Sequence, residues 1–252
     1  MYRVMRLAAV ALMIATTGIF ASVSPPAAPA ARQSPAKAAA MAENPHDISG
    51  YWELSFDSRK IPPADLAPGV TKTILEEKAA ADAHAIRYCN LVGTPSVMDP
   101  GRPLDIRQGT REVIITADVN ASPRHIYLDR AKHISADQFD TTSNGDSIGH
   151  WDGDTLVVDT VGFDPKRGLV QIPGGGFRTA DSHLTERYRL LEDGSVLSVV
   201  FTWEDAKVFR TPHTYEFRYY RMPRQYEPVP ALKCDPYDEV RNKFLENPIG
   251  MK

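Results

Sequence analysis

The fold of this chain is decided by the stretch from Asn144 to Phe163, which is NGDSIGHWDGDTLVVDTVGF. Two β-prone runs flank the dipeptide Asp152-Gly153. Asp-Gly between such runs is a strong hairpin signal, because a type I′ turn requires positive φ at both central positions. The same dipeptide returns at Asp193-Gly194. Two tight hairpins in the second half of the chain predict an antiparallel β protein.

The remainder of the chain adds one helix and more strands. A helix is predicted from Thr73 to Arg87, because Thr73 and Glu76 have the spacing of a capping box and an Ala-rich run follows. Further strands are predicted at Ile48–Phe56, Arg111–Val119, Arg124–Leu128 and His213–Tyr220. We therefore predict a mainly β fold, an antiparallel, lipocalin-like β-barrel of about eight to ten strands with one N-terminal helix. A β-sandwich is the competing architecture.

The N-terminus has the pattern of an export signal. Arg3 and Arg6 precede an apolar run from Leu7 to about Val23, which is typical of a secretory signal peptide. We predict a signal peptide over residues 1–23, a disordered Ala/Pro-rich linker over 24–46, and a single β-barrel domain over 47–252. The alternative is an uncleaved membrane anchor, since the run approaches the length of a spanning helix. The predicted location is periplasmic or secreted, with no membrane span after signal cleavage.

Composition excludes several partners and cofactors. A formal net charge of −3 with 24% charged residues gives no basic surface for nucleic acid. No redox-cofactor motif or metal-ligand signature is present, so no cofactor and no metal are predicted. The two cysteines, Cys89 and Cys234, are expected to form a disulfide after export. Two separate buried thiols are the alternative.

The second hairpin is predicted to carry one carboxylate into the barrel. A two-residue loop fixes the register and pairs Glu186 with Phe201, so that Glu186 shares a face with Tyr188 and Trp203. That face is otherwise apolar, and we take these aromatic residues as substrate-binding candidates.

A buried carboxylate must be paired, or its pKa rises. Two interpretations of Glu186 remain open. It is either a general acid/base or ligand anchor, or it forms a structural ion pair with Arg124 or Arg130.

The first hairpin gives a less one-sided pattern. The predicted register pairs Ile148 with Val157 and Asp146 with Asp159, and we expect this face to be interior together with His150. Two opposing carboxylates repel each other unless they share a proton or a cation. The alternative is that this end lies at the barrel rim, where water solvates both groups.

Two loop or turn positions complete the candidate site. His133 follows Arg130 in a polar segment, and loops over a barrel mouth often carry function. Trp151, beside the first turn, is a candidate for binding an apolar substrate, and Arg124 or Arg130 for orienting its polar substituent.

The motif from Gly145 to Phe163 resembles a family of exported, mostly uncharacterised bacterial proteins. The resemblance extends to Arg124–Asp129, to His183–Arg187 and to the loop with Cys89, and it covers most of the chain after Asp47. The resemblance implies that the protein is exported, but it does not imply a particular activity. In such relatives histidine often occupies the place of Asp146, so an Asp159–His pairing becomes a carboxylate pair in this chain.

A shorter similarity concerns the entry strand. The segment Asp47–Trp52, DISGYW, is similar to the entry strand of lipocalin-like barrels.

Three functions are compatible with these patterns. The first is an exported β-barrel enzyme that performs cofactor-independent acid/base chemistry, of the isomerase, lyase or hydratase type, on a small, largely apolar molecule in the barrel cavity. Glu186 and Asp159 would be its acid/base pair, with Asp146, His150 and His133 as further candidates. The second is a lipocalin-like carrier of an apolar or amphipathic ligand. The third is an envelope protein without a ligand.

Overall fold

The computed structural model describes residues 46–59, 61–87, 92–99, 103–117, 121–135, 137–138 and 140–223. Within these ranges nine strands form a closed barrel in chain order, and the first strand pairs with the last. The strands are β1 (Gly50–Leu54), β2 (Leu104–Gln108), β3 (Glu112–Ala117), β4 (Arg124–Tyr127), β5 (Asp146–Asp152), β6 (Thr155–Val161), β7 (His183–Leu191), β8 (Val196–Glu204) and β9 (His213–Met222), and the helix is α1 (Lys72–Arg87). The predicted mainly β barrel with a single helix is confirmed, and closure removes the sandwich alternative.

One strand pair departs from the predicted antiparallel pattern. Strand β4 pairs with β5 in parallel, whereas the other neighbouring pairs are antiparallel. A parallel pair requires a crossover of about a dozen residues or more, because the chain must return to the same end of the sheet. The connection over residues 128–145 provides this crossover, and it brings polar side chains onto the outer wall of the barrel.

The second hairpin has the predicted register. Glu186 is opposite Phe201, and Leu184 is opposite Trp203. The turn has positive φ at Asp193 (53°) and Gly194 (80°), as a type I′ turn requires. The inward face of β7 is buried and its outward face is polar. The alternation of apolar and polar residues in the sequence therefore predicted correctly which face is interior.

The first hairpin differs from its prediction in register and in orientation. Its turn is formed by Gly153 and Asp154, so Ile148 is opposite Asp159 instead of Val157. The face with Asp146 and Asp159, expected inside, is the outer face of the barrel. The buried alternate positions of β6 are Leu156, Val158 and Thr160. Both faces of β6 carry apolar side chains, and hydrophobicity alone therefore did not identify the inner one.

Aromatic side chains fill much of the interior. Phe201 stacks on Tyr215 with ring centroids 4.9 Å apart, and Phe217 meets Phe201 edge-on at 5.3 Å. Trp52 and Trp203 are fully buried in the same core. Such packing produces a filled barrel around these rings, not an open tube.

Helix α1 connects to the loops at one end of the barrel. The side chain of Thr71, not Thr73, accepts a hydrogen bond from the backbone N–H of Ile74 and caps the helix. The buried carboxylate of Asp82 accepts hydrogen bonds from the backbone N–H groups of Val170 and Gln171. The helix therefore fixes one loop that closes this end.

Several sequence predictions lie outside the described residues. These are the signal peptide, nearly all of the linker, Cys89, Cys234 and the tail after residue 223. In the described part, the helix found lacks the length and apolar character needed to cross a membrane.

Candidate functional site

Inside the barrel, Arg124 of β4 meets Glu186 of β7. The guanidinium contacts the carboxylate through two nitrogens, and the Nη1–Oε1 distance is 2.8 Å. Neither side chain has any exposed surface. The predicted inward position of Glu186 is confirmed, and Arg124 is the partner, whereas Arg130 pairs elsewhere.

Hydrogen bonds support this ion pair from both sides, and Arg124 Nε is the nitrogen left without a partner among the described residues. The Tyr188 hydroxyl donates to Glu186 Oε1 at 2.9 Å, and Arg124 Nη2 donates to Ser147 Oγ at 3.3 Å and Thr160 Oγ1 at 3.1 Å. Burial raises the pKa of Tyr188 well above its ordinary value, and the neighbouring Glu186 carboxylate adds to the shift. Tyr188 therefore keeps its proton and remains a donor to Glu186.

This interior network is closed to a ligand in the observed conformation. Arg124, Thr160, Glu186 and Tyr188 are all fully buried, and so are Phe201 and Trp203, the residues expected to bind a substrate beside them. A group with no accessible surface has no room beside it for a water molecule, and still less for a substrate. The geometry therefore supports the structural interpretation of Glu186, an ion pair that joins two strands.

A second polar cluster lies on the outer face of the barrel. Asp146, at the start of β5, accepts hydrogen bonds from Arg130 Nη2 at 2.7 Å and from the backbone N–H of Ile134 at 3.1 Å. His133 Nδ1 lies 2.9 Å from the other oxygen of Asp146. Burial works against the charged form of Asp146, but these hydrogen bonds outweigh it and hold the pKa of its carboxyl below the ordinary value.

The cluster continues through two histidines. His133 Nε2 lies 3.3 Å from Asp159 Oδ1, and His183 Nε2 lies 2.7 Å from the same oxygen. His183 Nδ1 in turn lies 3.2 Å from Glu204 Oε2. We name this series the outer histidine chain; its members, in order of contact, are Arg130, Asp146, His133, Asp159, His183 and Glu204.

Each imidazole of the outer histidine chain lies between two carboxylates. A neutral imidazole has one N–H donor and one acceptor nitrogen, so it can donate to both carboxylates only when it carries two protons. Three carboxylates and one guanidinium sum to a charge of −2, which two imidazolium rings would neutralise. The arrangement therefore joins two imidazoles and three carboxylates in one continuous series of polar contacts.

The outer histidine chain is also accessible. The side chain of Asp159 is 45% exposed and that of His183 is 35% exposed, whereas Asp146 is 3% exposed. The outer histidine chain thus has a buried end at Asp146 and an accessible section formed by Asp159, His183 and Glu204, whose side chain is 51% exposed. The accessible section can meet a small molecule from solvent.

The structure places the predicted site residues in three locations: the barrel interior, the cluster on the outer face, and the first hairpin near its turn. Glu186 and Arg124 lie inside, whereas Asp146, Asp159, His133 and Arg130 meet on the outer face. His150 is exposed on that outer face, and Trp151 stacks on the His46 ring with centroids 4.4 Å apart. The expected pairing of Glu186 with Asp159 in one cavity does not occur, because strand alternation sends their side chains to opposite faces.

Two members of the outer histidine chain, His183 and Glu204, were not among the predicted site residues. The hairpin register pairs His183 with Glu204, and that pairing is observed. The sequence alone did not place Asp159 beside them, because β6 and β7 are joined by the long segment 162–182. The β6–β7 pairing that puts Asp159 opposite Thr185 supplies the contact.

No group of three or more His, Cys, Asp or Glu side chains among the described residues is arranged to hold a metal ion. A scan against protein-family models finds no matching family, and a search of curated proteins finds no match.

Proposed function

We propose that this barrel is an enzyme of the isomerase, lyase or hydratase type whose acid–base centre is the outer histidine chain. The observation that carries the proposal is the convergence of two imidazole Nε2 atoms on one oxygen of Asp159, at 3.3 and 2.7 Å. Imidazole is the side chain that gains and loses a proton near neutral pH. Two such rings joined by a carboxylate supply an acid and a base within one site.

The proposed reaction uses the two rings in opposite roles. All four ring nitrogens contact carboxylates, so the substrate takes the place of Asp159 Oδ1 at the two Nε2 atoms. One neutral imidazole then accepts a proton from a substrate C–H or from water, and the other, as imidazolium, donates a proton to a second substrate atom. Each ring is oriented from behind, His133 by Asp146 and His183 by Glu204. After turnover, the proton passes from one Nε2 to Asp159 Oδ1 and on to the other Nε2, which restores the starting state.

The proposed substrate is a small molecule that approaches from solvent. Asp159, His183 and Glu204 are the accessible members of the outer histidine chain, and His133 of the crossover lies beside Asp159. Arg130 contacts the Tyr127 ring, with its guanidinium 3.6 Å from the centroid, and so is held on the same wall. The closed interior around Glu186 gives no support to a substrate at that carboxylate.

Isotope labelling tests this proposal without knowledge of the substrate. The protein is incubated in D₂O with a small-molecule extract of the source organism, and mass spectrometry identifies compounds that gain deuterium or change mass. We expect Asp159→Asn and His183→Gln to reduce the rate of any such change by about a hundredfold or more. His125→Gln is the matched control, since His125 Nδ1 pairs with Glu112 Oε2 at 2.8 Å elsewhere on the outer face. Equal rates in wild type and Asp159→Asn would refute the assignment.

We further propose that the protein is exported and that Cys89 and Cys234 are joined. The support is the signal-peptide pattern and the resemblance to exported bacterial proteins, together with an even number of cysteines. Sequencing the N-terminus of protein from a periplasmic fraction locates any cleavage, and peptide mapping without reductant identifies the bond. An intact N-terminus, or two alkylatable thiols in exported protein, would contradict the respective claim.

A further inference from the structure

Loops at one end of the barrel enclose a cleft of about 530 Å³. The cleft lies between the segment after β1, the end of the turn Ser96–Met98, helix α1 and the loop 169–176. Its volume is in the range of pockets that hold small molecules, which is about 300–1,000 Å³. None of its lining residues belongs to the outer histidine chain.

The walls of the cleft combine aliphatic and polar surface. Ile61, Leu75, Leu169 and Ile172 contribute the aliphatic part, and Ser96 and Gln171 contribute polar groups. The ionisable side chains that line it are Arg59 and Asp99, which form an ion pair through Arg59 Nη2 and Asp99 Oδ2. Small-molecule sites likewise combine apolar surface with a few polar groups that fix the orientation of the ligand.

The loop wall of the cleft is fixed in place. Asp82 of α1 holds the backbone at Val170 and Gln171, and His213 Nε2 donates to the carbonyl of Pro173 at 2.6 Å. Gly174 has φ of 89°, and a Cβ there would lie 2.4 Å from the carbonyl oxygen of Pro62. Because position 174 requires glycine and hydrogen bonds hold the loop at residues 170, 171 and 173, this wall is preorganised for a ligand.

Arg59 has hydrogen-bonding capacity left over. Asp99 contacts only one of its nitrogens, Nη2, and the Arg59 side chain is 32% exposed, whereas a guanidinium carries five N–H donors. Burial raises the pKa of the Asp99 carboxyl, against the attraction of Arg59. The remaining N–H groups of Arg59 can donate to a group that brings an acceptor oxygen.

We propose that this cleft binds a small organic anion with an apolar body, and that the anionic oxygen accepts hydrogen bonds from Arg59. The apolar body lies against the aliphatic walls, and the anion takes up donors that Asp99 does not satisfy. The site is separate from the outer histidine chain and does not depend on the proposed acid–base activity.

A pair of fluorescent probes tests the proposal on the folded protein. The anionic probe is 8-anilinonaphthalene-1-sulfonate, and the uncharged probe of similar shape is N-phenyl-1-naphthylamine. We expect the anionic probe to bind wild type at one saturable site, at least about tenfold more tightly than the uncharged one, because charge-assisted hydrogen bonds add to burial of the rings. Equal affinities would overturn the claim that the site selects an anion.

Three cleft variants assign the site and its polarity. Arg59→Gln should weaken the anionic probe by about tenfold or more, and Asp99→Asn should tighten it, since the competing carboxylate is removed. Ser96→Trp should abolish binding of both probes by filling the cleft. Unchanged or tighter binding of the anionic probe in Arg59→Gln would overturn the proposal, and so would weaker binding in Asp99→Asn or unchanged binding in Ser96→Trp.

Arg210→Gln is the matched control. Arg210 pairs with Asp65 at 3.7 Å on the same end of the barrel but does not line the cleft. We expect it to leave the affinity for the anionic probe unchanged, and the far-ultraviolet circular dichroism of all variants should match wild type. Asp159→Asn should also bind the probe normally, which separates this result from the fate of the proposed enzymatic activity. An equal loss in Arg210→Gln and Arg59→Gln would show that surface charge, not the cleft, attracts the probe.

Discussion

In the barrel interior, Arg124 and Glu186 form an ion pair through two nitrogen–oxygen contacts, and they belong to strands that are not neighbours. Strand β4 pairs with β3 and β5, whereas β7 pairs with β6 and β8, so the ion pair spans the interior. Removing two charges from water costs several kcal/mol per ion, and the mutual attraction together with the hydrogen bonds from Tyr188 and to Ser147 and Thr160 offsets part of that cost. The pair therefore fixes how the two sides of the barrel face each other.

Replacing one partner of this pair should destabilise the fold. We expect Glu186→Gln to lower the free energy of unfolding by about 3–5 kcal/mol, because it leaves the Arg124 charge buried and unpaired. The double variant Arg124→Met with Glu186→Leu should recover most of that loss, since it removes both charges. Denaturant unfolding measures each value.

An exposed pair is the control for Glu186→Gln. Glu112→Gln removes a partner of His125 on the outer face, where such pairs contribute about 0–1 kcal/mol. A Glu186→Gln protein that unfolds like wild type but loses a catalytic activity would contradict the structural role and restore Glu186 as the acid/base group.

Asp146 should make stability depend on acid pH. Its folded-state pKa lies below the ordinary value of 3.8, so the native state binds fewer protons than the unfolded state at acid pH. The stabilisation is fully present above about pH 4 and is lost as the pH falls through the lowered pKa. Asp146→Asn should melt at a lower temperature at pH 7 and show a flatter decline between about pH 4 and 2. Asp140→Asn, an exposed carboxylate in the same crossover segment, is the control, and equal slopes for wild type and Asp146→Asn would contradict the assignment.

The second hairpin shows how much of this fold the sequence determines. Its turn dipeptide and its one-sided hydrophobic pattern agree, so the register of Glu186 with Phe201 and the inward direction of Glu186 were both predictable. The first hairpin lacks that agreement. Val157 and Val161 make its outer face as apolar as its inner one. The observed turn, Gly153-Asp154, lies one residue after the predicted turn.

The candidate site was less predictable than the fold. Asp146, Asp159 and His133 were identified by residue type, but their meeting depends on a crossover that returns His133 to the outer wall. Local patterns contain no information about that return. The pairing of β6 with β7 is likewise a long-range contact, and it alone brings Asp159 to His183.

Gly194 should be sensitive to substitution because of its backbone conformation. Its φ is 80°, and a side chain in this left-handed region costs about 1–2 kcal/mol. We therefore expect Gly194→Ala to lower the free energy of unfolding by that amount. Gly69→Ala is the control, because a Cβ at Gly69 meets no atom within 4 Å and its φ is not in the left-handed range. Equal unfolding free energies for the two variants would contradict the type I′ turn.

Arg178 should hold the loop that forms one wall of the cleft. It is 1% exposed, and its guanidinium donates to three backbone carbonyls, those of Asp164 (2.5 Å), Arg167 and Leu169 (3.3 Å). A lysine ammonium is a compact group on a flexible stem and cannot reproduce the planar fork that reaches all three. Arg178→Lys should therefore lose some of these hydrogen bonds from a charged donor, at a cost of about 1.5–3 kcal/mol for each bond lost.

Hydrogen exchange followed by mass spectrometry measures this effect locally. In Arg178→Lys, amides of residues 164–178 should exchange at least about tenfold faster than in wild type, because their opening free energy falls by about 1.4 kcal/mol or more. Amides beside the turn of the second hairpin, at the end of β7 away from Arg178 in the sequence, should keep their exchange rates. The anionic probe should bind the cleft more weakly, since Leu169 and Ile172 form part of its wall. Unchanged exchange over residues 164–178 would mean that Asp82 and His213 hold the loop without Arg178.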